Sequence, residues 1–259
     1  MNKKQERVNQ ILSVFNEKDC LSVKQLAERL NISEMTVRRD LSALQDANII
    51  VRGIKAGTFS LASSSSHISE NYELSLESTK SSAEKDRIGA FAATMIDPGE
   101  AVIIDTGTTT IRMVSHIPVD LEFSSLCYNF IIFSELMKKK RPELTLVGGQ
   151  INPATMSFSS TEGLQTIGQF RASKFFVSAS GIHEKLGLTC GYRSELANKQ
   201  CAIRSSLNII LLADSSKFGL VRSAYFGELD EIDSIVTDSN ISEEWRELIK
   251  SKGIKLYIV

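Results

Sequence analysis

Two stretches of this 259-residue chain carry side chains suited to an anionic partner. The first is Ser33-Glu34-Met35-Thr36-Val37-Arg38-Arg39-Asp40-Leu41-Ser42-Ala43-Leu44. Val37, Leu41 and Leu44 recur at i, i+4 and i+7, which makes one apolar stripe on a helix. Ser33 is placed to cap that helix by accepting from an orphan amide of the first turn. The other face presents Thr36, Arg38, Arg39 and Ser42, with Met35 near its start. Short donors and cations near a helix N-terminus suit the major groove of double-stranded DNA.

The second stretch, Asp105-Thr106-Gly107-Thr108-Thr109-Thr110, follows a predicted strand and precedes a predicted helix. A helix start exposes amides that have no acceptor of their own, and the threonines add hydroxyl donors. Together they favour an anion, typically phosphate, which Gly107 allows to approach the backbone. Asp105 stands at the strand end, where it orients amides or accepts from a sugar hydroxyl. A capped strand–turn–helix junction with no ligand fits the same residues. Similar small or polar residues end other predicted strands: Tyr128-Asn129, Gly148-Gly149-Gln150, Ser178-Ala179-Ser180-Gly181 and Asp214-Ser215-Ser216-Lys217-Phe218-Gly219. Ligands of open α/β sheets sit at such strand ends. Lys217 supplies a cation that the threonine loop lacks; a solvated loop lysine is the plainer reading.

The elements that must position these residues fall into two groups. Toward the N-terminus, residues 4–17 place Val8, Ile11, Leu12 and Phe15 on one helical face. Ser22 to Gln25 forms a capping-box pattern ahead of a second helix that buries Leu26, Ala27 and Leu30. Asn31 suits a tight left-handed turn and Ile32 plugs the corner, so the Ser33 helix completes a helix-turn-helix. Ile49 to Arg52 and Thr58 to Leu61 pair around a Gly53–Gly57 turn as a β wing, with Arg52 and Lys55 near its tip. A serine run begins at Ser63, giving a head over residues 1–61 and a linker over 62–80. From there to residue 259, short apolar strands alternate with amphipathic helices, the pattern of a mostly parallel sheet covered by helices.

Bulk properties agree. Residues 1–56 hold ten Lys and Arg against seven Asp and Glu, whereas the chain as a whole carries a net charge of −1. The basic end is thus the end with the Arg-bearing helix. Cys20, Cys127, Cys190 and Cys201 form no CxxC pair and the three histidines are scattered, so no metal site and no cofactor is expected. The cysteines read as reduced thiols of a cytoplasmic protein. No apolar run is long enough to span a membrane, and no signal peptide is evident.

The ordered motifs resemble the DeoR family of bacterial transcription regulators. The Ser33–Leu41 helix is similar to that family's recognition helix. Asp105-Thr106-Gly107-Thr108-Thr109, Gly148-Gly149, Ser180-Gly181 and Asp214–Gly219 are similar to its sensor domain in the same order. The resemblance implies a winged helix-turn-helix joined to an α/β sensor domain of the sugar-phosphate isomerase kind. It implies a homo-oligomeric repressor released from operator DNA by a phosphorylated sugar. Cys127-Tyr128-Asn129, Gly187-Leu188-Thr189-Cys190, Glu195-Leu196 and Lys217–Arg222 resemble one branch of the family, which implies deoxyribose 5-phosphate over other pentose or hexose phosphates. Two departures stand out. Arg52 is followed by Gly53-Ile54-Lys55-Ala56-Gly57 instead of a His-Gly-Gly-Ala wing, and Tyr128 replaces the usual Thr before Asn129.

The expected DNA contacts are therefore Ser33, Met35, Thr36, Arg38, Arg39, Ser42, Arg52 and Lys55. The expected effector contacts are Asp105, Thr106, Gly107, Thr108, Thr109, Thr110, Asn129, Gly149, Ser180, Gly181 and Lys217. No catalytic residue is expected. The rival reading is a sugar-phosphate isomerase with an accessory DNA-binding head, in which Asp105, Glu195, Lys199 or Asp214 serves as acid or base.

Overall fold

The computed structural model describes residues 11, 21–30, 32–46, 50–52, 58–61, 81–140 and 142–259. Most of the first expected helix, the Asn31 turn, the wing tip with Lys55 and the expected linker lie outside them. The chain divides into two compact units, Met1–Ser75 and Leu76–Val259.

In the first unit, α1 (Val23–Leu30) and α2 (Glu34–Asp46) are the two helices of the expected motif. The capping box before α1 is reciprocal. Ser22 Oγ accepts from Gln25 N at 3.2 Å, and Gln25 Oε1 accepts from Ser22 N at 2.9 Å. Ser33 caps α2, its hydroxyl accepting from Thr36 N at 3.2 Å. Val37, Leu41 and Leu44 pack with Ile11, Val23, Leu26 and Ala27 into one small core, and Ile32 closes its corner. Strands β1 (Leu21–Ser22), β2 (Ile50–Arg52) and β3 (Thr58–Leu61) form an antiparallel sheet in the order β1-β3-β2. Strands β2 and β3 pair as expected, with Arg52 opposite Phe59. The two-residue β1 is new, being too short to show a period of its own.

The second unit is built on seven strands: β4 (Ala101–Ile104), β5 (Phe123–Cys127), β6 (Pro142–Leu146), β9 (Ala172–Ser178), β12 (Ser206–Leu212), β14 (Ser234–Thr237) and β15 (Lys255–Ile258). Every pairing among them is parallel, in the order β15-β14-β12-β9-β4-β5-β6. Alternate residues enter opposite cores. Ile103, Phe175, Val177, Ile209 and Leu211 face one, and Val102, Ile104, Phe176, Ile210 and Leu212 face the other. A sheet buried on both faces needs such continuous apolar strands. Helices α3 (Ser82–Ala93), α4 (Thr108–His116), α5 (Phe130–Leu136), α6 (Thr161–Gln169), α7 (Leu196–Arg204) and α8 (Glu243–Ser251) supply the crossovers and cover.

Two smaller sheets were not foreseen. One is a hairpin of β7 (Gln150–Asn152) and β8 (Ser157–Ser159). The other is antiparallel, with β10 (Gly181–His183), β11 (Gly187–Cys190) and β13 (Ala224–Gly227) in that order. Strands of three or four residues with little alternation of burial leave almost no sequence signal. Among the described residues, no helix is long and apolar enough to cross a membrane.

The topology decides where a ligand belongs. From β4 the chain runs outward through β5 and β6, then returns to the other flank of β4 with β9 and continues outward. The crevice between the carboxyl ends of β4 and β9 is the topological switch point. The threonine loop leaves β4 there, and Ser178–Gly181 leaves β9 beside it.

Candidate functional site

Helix α2, the one expected to face DNA, divides its faces as its spacing demands. Val37 and Leu41 are wholly buried, whereas Met35, Arg38, Arg39 and Ser42 are exposed, Met35 to 80%. An exposed methionine beside two arginines is costly on a surface with no partner and useful against thymine methyl groups. Arg38 meets Glu34 at 3.4 Å in an i,i+4 pair with both groups largely solvated. The Thr36 hydroxyl bonds the Ser33 hydroxyl at 2.9 Å, so Ser33 serves first as a cap. Asp40, which sequence reasoning left unremarked, is fully buried. Arg52 is the last residue of β2, and Lys55 falls outside the described residues.

In the sensor unit, a parallel sheet puts all carboxyl strand ends on one edge. The expected loops therefore share that edge, in the order Gly148-Gly149, Tyr128-Asn129, Asp105–Thr110, Ser178–Gly181 and Asp214–Gly219. Gly107 is the N-cap of α4 and offers no side-chain cap, unlike Asn129 at α5, Ser160 at α6 and Ser242 at α8. The amides that open α4 thus lack the side-chain acceptor that those three helix starts have, as do the starts of α3 and α7. Any Cβ at Gly107 would lie 2.2 Å from Ser178 Oγ, so only glycine lets the β4 and β9 loops close on each other. Ser178 Oγ also donates to Thr106 O at 2.8 Å. Thr110 turns its hydroxyl back to Gly107 O at 2.9 Å, and Thr106 and Thr109 are nearly buried, whereas Thr108 is partly open.

The remaining expected contacts shape this edge. Gly149 sits at φ +138°, where a side chain would strike Ser159 O at 2.5 Å. Gly181 is buried against Leu220 O, which a Cβ would approach to 2.7 Å, so it packs two loops together. Ser180 donates its amide to Thr189 O at 2.9 Å. Gly219 N donates to Ile182 O at 2.8 Å, bringing the Lys217 loop onto the strand that begins at Gly181. That loop is braced: Asp214 caps Ser216, Asp238 accepts from Ser215 N at 2.6 Å, and Phe218 stacks edge-on against Trp245.

Two expected effector contacts take a different role. Asn129 is wholly buried, and its side chain makes four bonds. It accepts from Ile131 N and Ile132 N and donates to Thr106 Oγ1 at 2.6 Å and Thr155 O at 2.7 Å. Asp105 is equally buried. Its Oδ1 accepts from the Tyr128 hydroxyl at 2.6 Å; its Oδ2 accepts from Ser178 N, Ser178 Oγ and Lys199 Nζ. Neither keeps a free position for a ligand, so both buttress the loop. The Tyr128 departure is thereby explained, because its hydroxyl reaches the carboxylate at the switch point.

Lys199, 1% exposed, also donates to Ser178 O at 2.9 Å and lies 4.9 Å over the Phe226 ring. Burial pulls its proton affinity down. The Asp105, Glu195 and Cys190 groups push it back above the ordinary lysine value, so the ammonium stays charged. Glu195 is pushed up to about 7 by burial, with Lys199 opposing, Asp105 adding and the Cys190 thiol opposing. A folded pKa above the unfolded 4.5 means the folded chain holds a proton that the unfolded chain releases. That contribution is complete below pH ~4.5 and is lost as pH rises through ~7. A Glu195→Gln chain should therefore show a flatter stability profile between pH 5 and 7.5 in urea melts, by up to ~3 kcal/mol across the window. A slope matching the parent would rule the titration out.

Sequence reasoning offered Lys199 and Glu195 as acid–base groups of the rival enzyme, and Glu195 also in the Glu195-Leu196 motif of the family resemblance. It missed Lys85 on α3, buried 3.9 Å from Asp214 Oδ2. A lysine in an amphipathic helix carries no signal that its face is the inner one. Among the described residues, no cluster of His, Cys, Asp or Glu is arranged to hold a metal ion.

A helix-turn-helix in one unit and a parallel α/β sheet with its loops gathered at one edge in the other are the architecture of a transcription regulator with a sensor domain. Residues 7–56 match the DeoR-like helix-turn-helix domain and residues 80–239 the DeoR C terminal sensor domain. The chain belongs to the DeoR family. It is 32% identical over 254 residues to the deoxyribose operon repressor of Escherichia coli K12, covering 98% of each chain. It is 30% identical over 261 residues to the lactose phosphotransferase system repressor of Staphylococcus epidermidis, again covering 98% of each. It is thus a regulator and not an enzyme, and the isomerase reading is not favoured. Among solved structures, ribose 5-phosphate isomerase A from Methanocaldococcus jannaschii overlays 54% of this chain and 55% of that one, at 14% identity and a TM-score of 0.41. A likeness that slight decides nothing about the site.

Proposed function

We propose that the chain represses a sugar or deoxyribonucleoside catabolic operon and leaves its operator when a phosphorylated sugar, deoxyribose 5-phosphate by preference, binds the sensor unit. Met35, Thr36, Arg38, Arg39 and Ser42 meet base edges and phosphates, Ser33 holds the helix start, and Arg52 and Lys55 touch the backbone from the wing. The phosphate sits on the α4 amides and the Thr108 and Thr109 hydroxyls of the Thr106–Thr110 loop, with Lys217 as counter-charge and Gly149, Ser180 and Gly181 shaping the walls. Residues 1–61 act as the head, 62–80 as the linker and 81–259 as the sensor. Two heads in a homo-oligomer engage repeated half-sites. A regulator that reads bacterial DNA works in the cytoplasm.

One observation carries this reading: α4 begins without a side-chain cap at the switch point of a parallel sheet, in a run of three threonines. A helix start of that kind is a ready anion site. The names of the two relatives support repression and a sugar-related operon. Effector control requires the sugar phosphate to bind one head arrangement better than another.

Thermal-shift titration of the whole chain against deoxyribose 5-phosphate, ribose 5-phosphate and hexose phosphates tests the effector. A true ligand at 100 times its Kd stabilises by roughly 2.7 kcal/mol. Thr108→Val with Thr109→Val should remove most of that shift and leave DNA binding intact. Normal operator release by the double variant would sink the phosphate loop.

A further inference from the structure

We propose that Asn198 is the hydroxyl-reading residue of the effector site, its side-chain carbonyl accepting from a hydroxyl on the sugar carbons away from the phosphate. This rests on the sugar-phosphate reading above and adds the contact that distinguishes a sugar phosphate from phosphate alone.

Asn198 lies on α7 one residue before Lys199 and three after Glu195. Residues at this spacing share one helical face, and Glu195, Asn198, Lys199 and Ala202 are all buried. Asn198 Nδ2 donates to Phe158 O at 2.7 Å. That bond sets the amide's orientation, since the reverse would press two carbonyl oxygens together. The Oδ1 atom is buried and accepts no hydrogen bond from the described residues. Leaving a buried acceptor without a donor is costly, and such groups mark function when they persist.

The surroundings place this atom at the effector site. Lys199, the next residue, binds Asp105 and Ser178 O at the roots of two site loops. Phe158, which anchors the Asn198 amide, donates its own N–H to Tyr128 O at 2.8 Å. Thr155, in the same hairpin, accepts from Asn129 and lies within reach of the Thr106 hydroxyl. Asn198 is thus tied to the β7–β8 hairpin, which in turn bonds the loops after β4 and β5. Asp105, Asn129 and Lys199, the polar groups along this route, are already engaged. Asp214 Oδ2, another buried oxygen without a hydrogen bond, has the Lys85 charge 3.9 Å away. A ligand can supply the donor that Asn198 lacks. A phosphate dianion and an aldehyde have none to give, but a sugar hydroxyl does.

The test is isothermal titration of the full chain with deoxyribose 5-phosphate, ribose 5-phosphate and inorganic phosphate. Asn198→Leu keeps the side-chain shape and deletes the amide. It should weaken at least one pentose phosphate about fivefold or more and leave inorganic phosphate within about twofold. Asn198→Ala, which cannot overpack, must repeat the selective loss. Pentose phosphate affinity within twofold of the parent in both variants overturns the proposal, as does any loss smaller than fivefold. Equal affinity of the parent for pentose phosphates and inorganic phosphate overturns it too, while leaving the threonine loop standing. If the parent binds none of the three, the effector reading itself falls and takes this contact with it.

Discussion

Replacing Arg38 and Arg39 together by alanine should weaken operator binding by about two orders of magnitude or more, with no loss of fold. Each good arginine contact with a base edge contributes ~1–3 kcal/mol, and each phosphate contact steepens the dependence on salt. The variant should therefore also show a log–log salt slope reduced by up to ~2. Little structure stands to be lost. Both side chains are exposed, and among the described residues Arg38 pairs with Glu34 in a solvated contact worth at most a few tenths of a kcal/mol. The buried stripe of Val37, Leu41 and Leu44 is untouched. Fluorescence anisotropy on operator fragments selected with the parent chain, at several salt concentrations, measures both quantities. Affinity and slope that match the parent would mean this face does not read DNA.

The largest stability effect should come from Lys199→Met. The ammonium and the Asp105 carboxylate are both buried, and removing one partner strands the other charge. Breaking a buried pair in this way costs ~3–5 kcal/mol. Asp105 would keep its Tyr128 and Ser178 donors, so the loss should fall toward the lower end. Adding Asp105→Asn should restore part of it, because the stranded charge is then gone. Urea melts of the parent, both single variants and the double variant form the cycle that isolates the pair. A Lys199→Met chain as stable as the parent would show that the pair contributes nothing. The consequence for function is direct: Asp105 ties Ser178 to the start of the threonine loop, so losing the pair loosens the place where phosphate is proposed to sit.

The stripe of Val37, Leu41 and Leu44 was legible because a helix repeats every 3.6 residues, whatever lies around it. The loops ending β4, β5, β6, β9 and β12 were legible as a set for a similar reason. Alternating strands and helices imply parallel strands, and parallel strands deliver their carboxyl ends to one edge. Ser22 and Ser33 announced their caps because a cap and its amide lie within three residues. All of these are local signals.

What the site residues do was decided at longer range. Asp105 and Asn129 read as ligand groups in the sequence, yet both are spent on the protein itself. Asp105 takes its cation from Lys199, 94 residues further on, because the strand order reverses at β4 and lays β9 beside it. Asn198 looked like any polar residue in a helix until packing against the hairpin buried it. A buried polar group must find a partner or bear the cost of going without. Residue type says which groups face that demand; only the folded arrangement says which have met it and which have been left for a ligand.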